Sequence, residues 1–334
     1  LFTSQFTAAF WTAFSILRFD GIYMDSRIFV NGCLAGEWKY GYSAFEMEIT
    51  DYLICGENDL RVSVDFQAPN SRWYSGAGIY RNVWIKTVPR QHLVSDGIYF
   101  SAKPGTGECW DIHISAEAET GGAQDGLSLE YAWREKGAPD FTQLDGQGTQ
   151  KLEGSRMRAV FCTRASQPRI WDVEHPYCYE LRVTLKKDGQ VLQQEIQTVG
   201  LRTLAFVPQE GFLLNGRKLK LNGMCEHHDL GCLGAAFHKQ AMQRKLELLK
   251  EMGCNAVRIA HNMPAQEVME LADEMGILIV SEAFDMWESA KNPYDYARFF
   301  PEWYKRDVES WVRRDRNHPS LLMWSIGNEI YDTH

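Results

Sequence analysis

The chain carries two hydrophobic periods, and the change from one to the other divides it. Through the first 205 residues apolar positions alternate with polar ones. Val62, Val64 and Phe66 alternate with Arg61, Ser63 and Asp65, which predicts a strand with one buried face. Arg27 to Val30 runs into Asn31-Gly32, a strong hairpin signal. Ile79 to Ile85 predicts a further strand after the Gly76-Ala77-Gly78 turn, and Pro89 closes this region. Ile112 to Ala116 and Leu181 to Leu185 alternate in the same way, the latter meeting a turn at Lys187-Asp188-Gly189. No amphipathic helix interrupts residues 93–205, and the Gly-rich tract 120–126 reads as a loop.

From Phe206 the period lengthens. Lys218 to Asn222 predicts a strand. Met242, Leu246, Leu249 and Met252 then recur at helical spacing, and Gly253 stands where a helix-ending glycine belongs. Asn255 to Ala260 predicts a strand. Val268, Leu271, Ala272 and Met275 predict a helix closed by Gly276. Ile277 to Val280 is the third strand, Tyr304, Val308, Trp311 and Val312 stripe the third helix, and Ser320 to Gly327 is the fourth strand. Strand–helix alternation at this pitch means a parallel sheet covered by helices. The expected organisation is a β domain over 1–92, an immunoglobulin-like β-sandwich over 93–205 and, over 206–334, the first four βα units of an eight-stranded TIM barrel.

Composition narrows the function. With 45% hydrophobic and 24% charged residues the chain can bury sizeable cores. A net charge of −9 without a basic stripe argues against nucleic acid. No run of 18 apolar residues offers a membrane span. Leu1 to Leu17 is apolar but holds no basic residue before Arg18, so it lacks the charged region of a signal peptide. That predicts a cytoplasmic protein, and the missing initiator Met suggests a clipped N-terminus. Eight cysteines show no CxxC spacing, which disfavours zinc and predicts free, mostly buried thiols. Eleven Trp and fourteen Tyr are expected mostly in cores, with a minority free to stack on sugar rings. No GxGxxG or GxxxxGK[ST] follows a strand, so a nucleotide-binding fold is disfavoured.

Chemistry gathers at the ends of the four inner strands. The first ends in Glu226-His227-His228-Asp229, the second in His261-Asn262, the third in Glu282 with Asp285 close behind, and the fourth in Asn328-Glu329. The C-terminal rim is where parallel barrels hold their active sites. A carboxyl group with an amide beside it suits a general acid that protonates a leaving oxygen. Single histidines carry little weight; His227, His228 and His261 gain it as a group on one rim. Glu282 has an equally good structural alternative, a buried carboxylate paired with Arg258 or another basic group in the barrel. The run Arg313 to Arg316 is most simply a helix C-terminus complementing its dipole.

With these residues in view, the chain resembles glycoside hydrolase family two, and within it the bacterial β-galactosidases. The resemblance is carried by Gly76 to Trp84, Asn222 to Asp229, Asn255 to Asn262, and Arg316-Asn317-His318-Pro319 through Asn328-Glu329, and it covers nearly the whole chain from about Ile16. It implies a jelly-roll, galactose-binding-like first domain whose first strands are incomplete, then an immunoglobulin-like domain and the N-terminal half of a TIM barrel. Glu329 matches the acid/base and Asn328 the residue that contacts the sugar 2-hydroxyl. His261 and His227 match histidines lining the sugar subsite. Asn82 stands where an Asp often contacts the sugar and a monovalent cation, and as an amide it brings no charge. Glu282 matches a carboxylate that binds Mg²⁺ in some members; no cofactor is required by the residues themselves. Intact relatives often form homo-oligomers.

The implied reaction is retaining hydrolysis of terminal β-D-galactosides, with β-glucuronidase and β-mannosidase as alternatives in the same family. Retention needs two carboxyl groups about 5–5.5 Å apart, one protonated to release the aglycone and one ionised to trap the sugar. The second is expected on a later barrel strand, so this chain is expected to be inactive alone. A sugar-binding protein without catalysis is the rival of a different class. Against it, Asn328-Glu329 on an inner strand end has no purpose in a pure binding module.

Overall fold

The computed structural model describes residues 2–8, 13–122 and 125–332. Ala123 and Gln124 of the Gly-rich tract lie outside the described residues. The first unit is two facing antiparallel sheets. One runs Phe2–Ala8, Gly56–Val64, Ser26–Val30, Cys33–Trp38, and the other Phe45–Glu48, Ala13–Phe19, Val83–Pro89. Leu17, Phe19, Ile28, Val30, Phe45 and Val62 fill the space between them. Asn31 and Gly32 both take positive φ (49° and 82°), as a tight two-residue hairpin turn requires.

The predicted strand from Ile79 to Ile85 is broken. Gly78–Ile79 and Val83–Pro89 are separate strands, and Arg81 between them turns inward. Its guanidinium donates to the carbonyls of Tyr42 (2.8 Å), Met263 (2.9 Å) and Pro264 (3.2 Å). A buried cation is costly unless hydrogen-bonded, and both Nη atoms of Arg81 are, while its Nε is buried without a partner. Here the acceptors come from both the sandwich and the barrel, so the break in the strand ties two domains.

The second unit pairs a five-stranded sheet, including His92–Leu93, Tyr99–Pro104, Cys109–Glu119, Gly146–Glu153 and Arg156–Ser166, with a four-stranded one formed by Leu127–Glu135, Thr142–Gln143, Tyr179–Lys187 and Gln190–Val199. Ile112, Ile114, Leu181, Val183 and Leu185 are fully buried between them, as alternation predicted.

The third unit holds four parallel strands: β1 (Gly223–Glu226), β2 (Ala256–Ile259), β3 (Leu278–Glu282) and β4 (Leu321–Ser325), in that spatial order. Helices α1 (Lys239–Glu251), α2 (Gln266–Met275) and α3 (Phe300–Asp315) connect them. Sequence reasoning put the first strand at Lys218 to Asn222; only Arg217–Lys218 is extended there, in a small meander, and β1 begins at Gly223. Gly276 does end α2, at φ +69°, and a Cβ there would stand 2.4 Å from the Val173 carbonyl oxygen. The position therefore needs glycine twice over, for its conformation and for the close approach of the second domain.

The arginine run at the end of α3 does more than complement a dipole. Arg313 pairs with Glu117 at 2.9 Å, Arg316 donates to the Asp96 carbonyl at 3.0 Å, and Asn317 bonds both Phe100 N and Ile98 O at 2.9 Å. Arg314 is buried on Asp315. The segment leading into β4 is thus pinned to the second sandwich. The thiols also differ from expectation. All eight are free, but Cys178 alone is buried and Cys33, Cys55, Cys162, Cys225 and Cys232 are exposed. Of the five exposed, Cys33, Cys162 and Cys225 lie on strands and Cys55 and Cys232 do not. No helix among the described residues is long and apolar enough to cross a membrane.

Asp307 on α3 sets a pH dependence. It is fully buried and accepts from Ser43 Oγ of the first sandwich (2.6 Å) and from Tyr296 OH. Burial pushes its carboxyl up to about 7 against those hydrogen bonds. An unfolded Asp titrates near ~3.9. Below that pH both states hold the proton; between ~3.9 and about 7 only the folded state does, so stability falls as pH rises through this window. Measured as the difference between wild type and Asp307→Asn in urea melts, the fall is expected to be on the order of 4 kcal/mol between pH 4 and 8. A difference independent of pH would contradict the assignment.

Candidate active site

The rim at the C-terminal ends of β1 to β4 is built around one buried carboxylate. Glu282 ends β3 and is fully buried. Arg258 on β2 grips it with two nitrogens, Nε to Oε2 at 3.1 Å and Nη2 to Oε2 at 2.7 Å and Oε1 at 2.9 Å. His261 Nδ1 lies 2.7 Å from Oε1, and Ser325 Oγ on β4 donates to Oε2 at 2.6 Å. Burial works against the charge on Glu282, but the hydrogen bonds from His261, Ser325 and Arg258 outweigh it and lower its pKa. Because Nδ1 of His261 is committed to a carboxylate, Nε2 is the atom that ring has left for a ligand. Both readings of Glu282 were open in the sequence; the structure places it against Arg258.

The Mg²⁺ role implied for Glu282 fits poorly. Magnesium takes oxygen ligands in a near-ideal octahedron. Each Glu282 oxygen already accepts at least two hydrogen bonds, some from a cation. The residues present do not fit a magnesium ion at this carboxylate.

Asn328 lies three residues beyond β4 and is buried. Its Oδ1 accepts from Arg258 Nη2 at 3.0 Å, its Nδ2 donates to Asp285 Oδ1 at 2.8 Å, its N–H donates to the Phe284 carbonyl at 2.9 Å, and its own carbonyl accepts from Lys291 Nζ at 2.7 Å. The amide nitrogen has a second hydrogen, which these bonds leave for a ligand. Glu329 follows at φ +46°, a left-handed conformation that costs a non-glycine residue about 1–2 kcal/mol. The four bonds on Asn328 hold the turn. Glu329 itself is open to solvent (63% exposed) and its carboxylate pairs with Arg72 Nη1 at 3.1 Å.

Asp285 is the second hub. Its Oδ1 accepts from Arg72 (2.7 Å), Lys291 (3.1 Å) and Asn328. Burial opposes its charge, and bonds from Asn328, Arg72 and Lys291 more than offset that, so its pKa is lowered. Its other oxygen, Oδ2, is buried without a partner, as is His227 Nδ1. Buried polar atoms left unsatisfied are uncommon and often mark a ligand site.

His227 and His261 meet edge to face at 5.2 Å, and Trp73 lies 5.6 Å and 5.5 Å from the two rings. Burial first, and His261 second, lower the pKa of His227, so it is a neutral ring near pH 7. His228 turns away. It is half-buried, its ring 4.8 Å from that of Tyr42, and its Nε2 bonds the Asn262 carbonyl at 3.1 Å. Glu226 also leaves the rim and pairs with Lys245 of α1.

The structure thus brings Glu329, Asn328, His261, Glu282 and His227 together. It does not bring Asn82. With Arg81 turned inward, Asn82 points outward and donates to Glu267 Oε1 on the first turn of α2 at 2.5 Å. The chain bends at Arg81, between the two strands, and leaves Arg81 buried and Asn82 exposed. The first sandwich instead supplies Arg72 and Trp73, which sequence reasoning missed. The run Asn70-Ser71-Arg72-Trp73-Tyr74 offered a signal in its bulky, mixed polar and aromatic side chains within a turn-rich stretch. Nothing in its periodicity indicated which domain it would face.

Three family models match in order: the glycosyl hydrolases family 2 sugar binding domain over residues 7–89, the glycosyl hydrolases family 2 domain over 111–202, and the glycosyl hydrolases family 2 TIM barrel domain over 206–334. A β-galactosidase of Bacteroides ovatus is 39% identical over 322 residues, covering 95% of this chain and 37% of that protein. A β-glucuronidase of Bacteroides fragilis is 30% identical, covering 94% of this chain and 47% of that protein. The crystal structure of a family 2 glycosyl hydrolase from Bacteroides cellulosilyticus superposes with a TM-score of 0.92 at 36% identity, covering 99% of this chain and 43% of that one. The chain spans less than half the length of each of these relatives. Three matched domains in the family's order, over a rim that holds Asn328-Glu329 at the fourth strand end, establish that the chain belongs to glycosyl hydrolase family 2.

Proposed function

We propose that the chain carries the acid/base half of a retaining exo-β-glycosidase acting on terminal β-D-galactosides. The observation that carries this reading is the network that buries Asn328 among Arg258, Asp285 and Lys291 and delivers Glu329 to the rim. In this reading Glu329 gives its proton to the glycosidic oxygen as the bond to the anomeric carbon breaks, and the electron pair leaves with the aglycone. A second carboxylate forms an ester to the sugar. Water then attacks that carbon while Glu329 takes the water's proton, and the ester C–O bond breaks with its electron pair returning to the second carboxylate. Asn328 offers its spare N–H to the 2-hydroxyl, where a bond that tightens in the transition state lowers the barrier. In this reading Glu282 holds Arg258, His261 and Ser325 in place and is not the second carboxylate. The proposal therefore assigns the nucleophile to a strand beyond β4.

We favour a galactoside over a glucuronide, and three cations described at this rim are already engaged. A uronic acid needs a positive group free to meet its carboxylate. Arg258, Lys291 and Arg72 each already bond a carboxylate of this chain. The β-galactosidase relative supports the same choice, and the β-glucuronidase relative keeps the glucuronide as the second reading. The test is a panel of nitrophenyl β-glycosides offered to the chain carried to the end of its reading frame. Galactoside is expected to lead glucuronide and mannoside by at least about tenfold in kcat/KM, a difference of about 1.4 kcal/mol. A lead for glucuronide would overturn the substrate, and no hydrolysis of any member would overturn the reaction.

A further inference from the structure

We infer that Arg72 is a positioning residue for the acid step: the first sandwich sends it across the rim to aim the Glu329 carboxylate. The inference rests on the reading of Glu329 as the acid/base.

Among the described residues, Arg72 alone donates a hydrogen bond to the Glu329 carboxylate. An ion pair between two half-exposed groups contributes little by itself, because water competes and two long side chains must be ordered. Arg72 differs in having one end fixed. Its Nη2 is seated on Asp285 at 2.7 Å, and that carboxylate is 1% exposed and held by Asn328 and Lys291 as well. Only the other nitrogen reaches Glu329. The loop behind Arg72 is also anchored. Asn70 is buried with its Oδ1 accepting from Tyr23 (3.1 Å) and Ser75 (2.9 Å), the Pro69 carbonyl accepts from Tyr294 N of the barrel at 3.2 Å, and the Trp73 ring rests against His227 and His261.

Asn328 and Glu329 are consecutive residues, and Asp285 holds the side chain of one while Arg72, seated on Asp285, holds the side chain of the next. The planar guanidinium can bond two carboxylates at a fixed angle, which an ammonium cannot. Without it the Glu329 side chain is free to rotate about its own bonds while the turn beneath stays in place. Misplacing a proton donor by an ångström costs most where its proton is most needed, and a loss near 10²-fold is the scale expected.

That sets the test, done on the chain carried to the end of its reading frame. A poor leaving group such as an alkyl alcohol needs the proton; a dinitrophenolate hardly does. Arg72→Ala is expected to lower kcat on an alkyl β-galactoside by about 10–100-fold and on the dinitrophenyl β-galactoside by less than about threefold. Arg72→Lys, which keeps the charge, is expected to fall between, and it answers the question if the Ala variant does not fold. Glu329→Gln is run beside them. If Glu329→Gln shows the leaving-group dependence and both Arg72 variants lose activity equally on the two substrates, or lose none, Arg72 has no positioning role. If Glu329→Gln itself shows no such dependence, the acid/base reading fails and this inference falls with it.

Discussion

Replacing Glu329 by Gln, in the chain carried to the end of its reading frame, is expected to lower kcat on an alkyl β-galactoside by about 10²–10⁴-fold, the range that general acid catalysis supplies. The reason is local. Glutamine keeps the size of the side chain and can still meet Arg72, but it has no proton to give. Nothing below it needs to move, because Asn328 is held by four bonds that do not involve Glu329. Urea melts of the variant are therefore expected to match wild type within about 0.5 kcal/mol, as for surface changes generally. Full activity in a folded Gln variant would remove Glu329 from the chemistry.

Arg258→Met is expected to destabilise the fold strongly. Glu282 would remain buried with His261 and Ser325 and lose the cation that bonds both its oxygens. Breaking a buried pair from one side costs 3–5 kcal/mol in general, and Arg258 is 34% exposed, so about 3 kcal/mol is expected. The variant also frees Asn328 Oδ1, so activity should fall beyond what instability explains. Glu282→Gln in the same chain removes the orphaned charge and should restore part of the stability, because an amide costs far less to bury than a carboxylate. A single Arg258→Met melt indistinguishable from wild type would show that the Glu282 charge is met in some other way.

Much of this molecule could be read from the chain. Alternation located both sandwiches, and the helical stripes with their closing glycines, Gly253 and Gly276, located α1 and α2. The Asn328-Glu329 pair and His261 were found because inner strands are apolar and a polar residue at their ends stands out. What escaped had a common cause. Arg81 sits within an apparently regular strand, and only the carbonyls of Met263 and Pro264, some 180 residues away, give it a reason to turn inward. Its reversal sends Asn82 to Glu267 and away from the rim. Arg72 was hidden for the same reason, since its partners Asp285 and Glu329 belong to another domain. The cysteines were expected inside on residue type alone, whereas five of them are exposed, two of these, Cys55 and Cys232, outside any strand. Local pattern fixes elements, but side chains that bridge domains answer to contacts that no local pattern contains.

The measurement that tests the central claim most directly uses Glu329→Ala in the chain carried to the end of its reading frame, with dinitrophenyl β-galactoside and added sodium azide. An activated leaving group lets the sugar–enzyme ester form without the acid. With no Glu329 to activate water or repel an anion, azide should attack that ester and release β-galactosyl azide, with the original anomeric configuration retained. A rate that rises with azide and yields the β-azide is the predicted result. A rate indifferent to azide, or an α-configured product, would contradict the account of Glu329 as the acid/base of a retaining glycosidase.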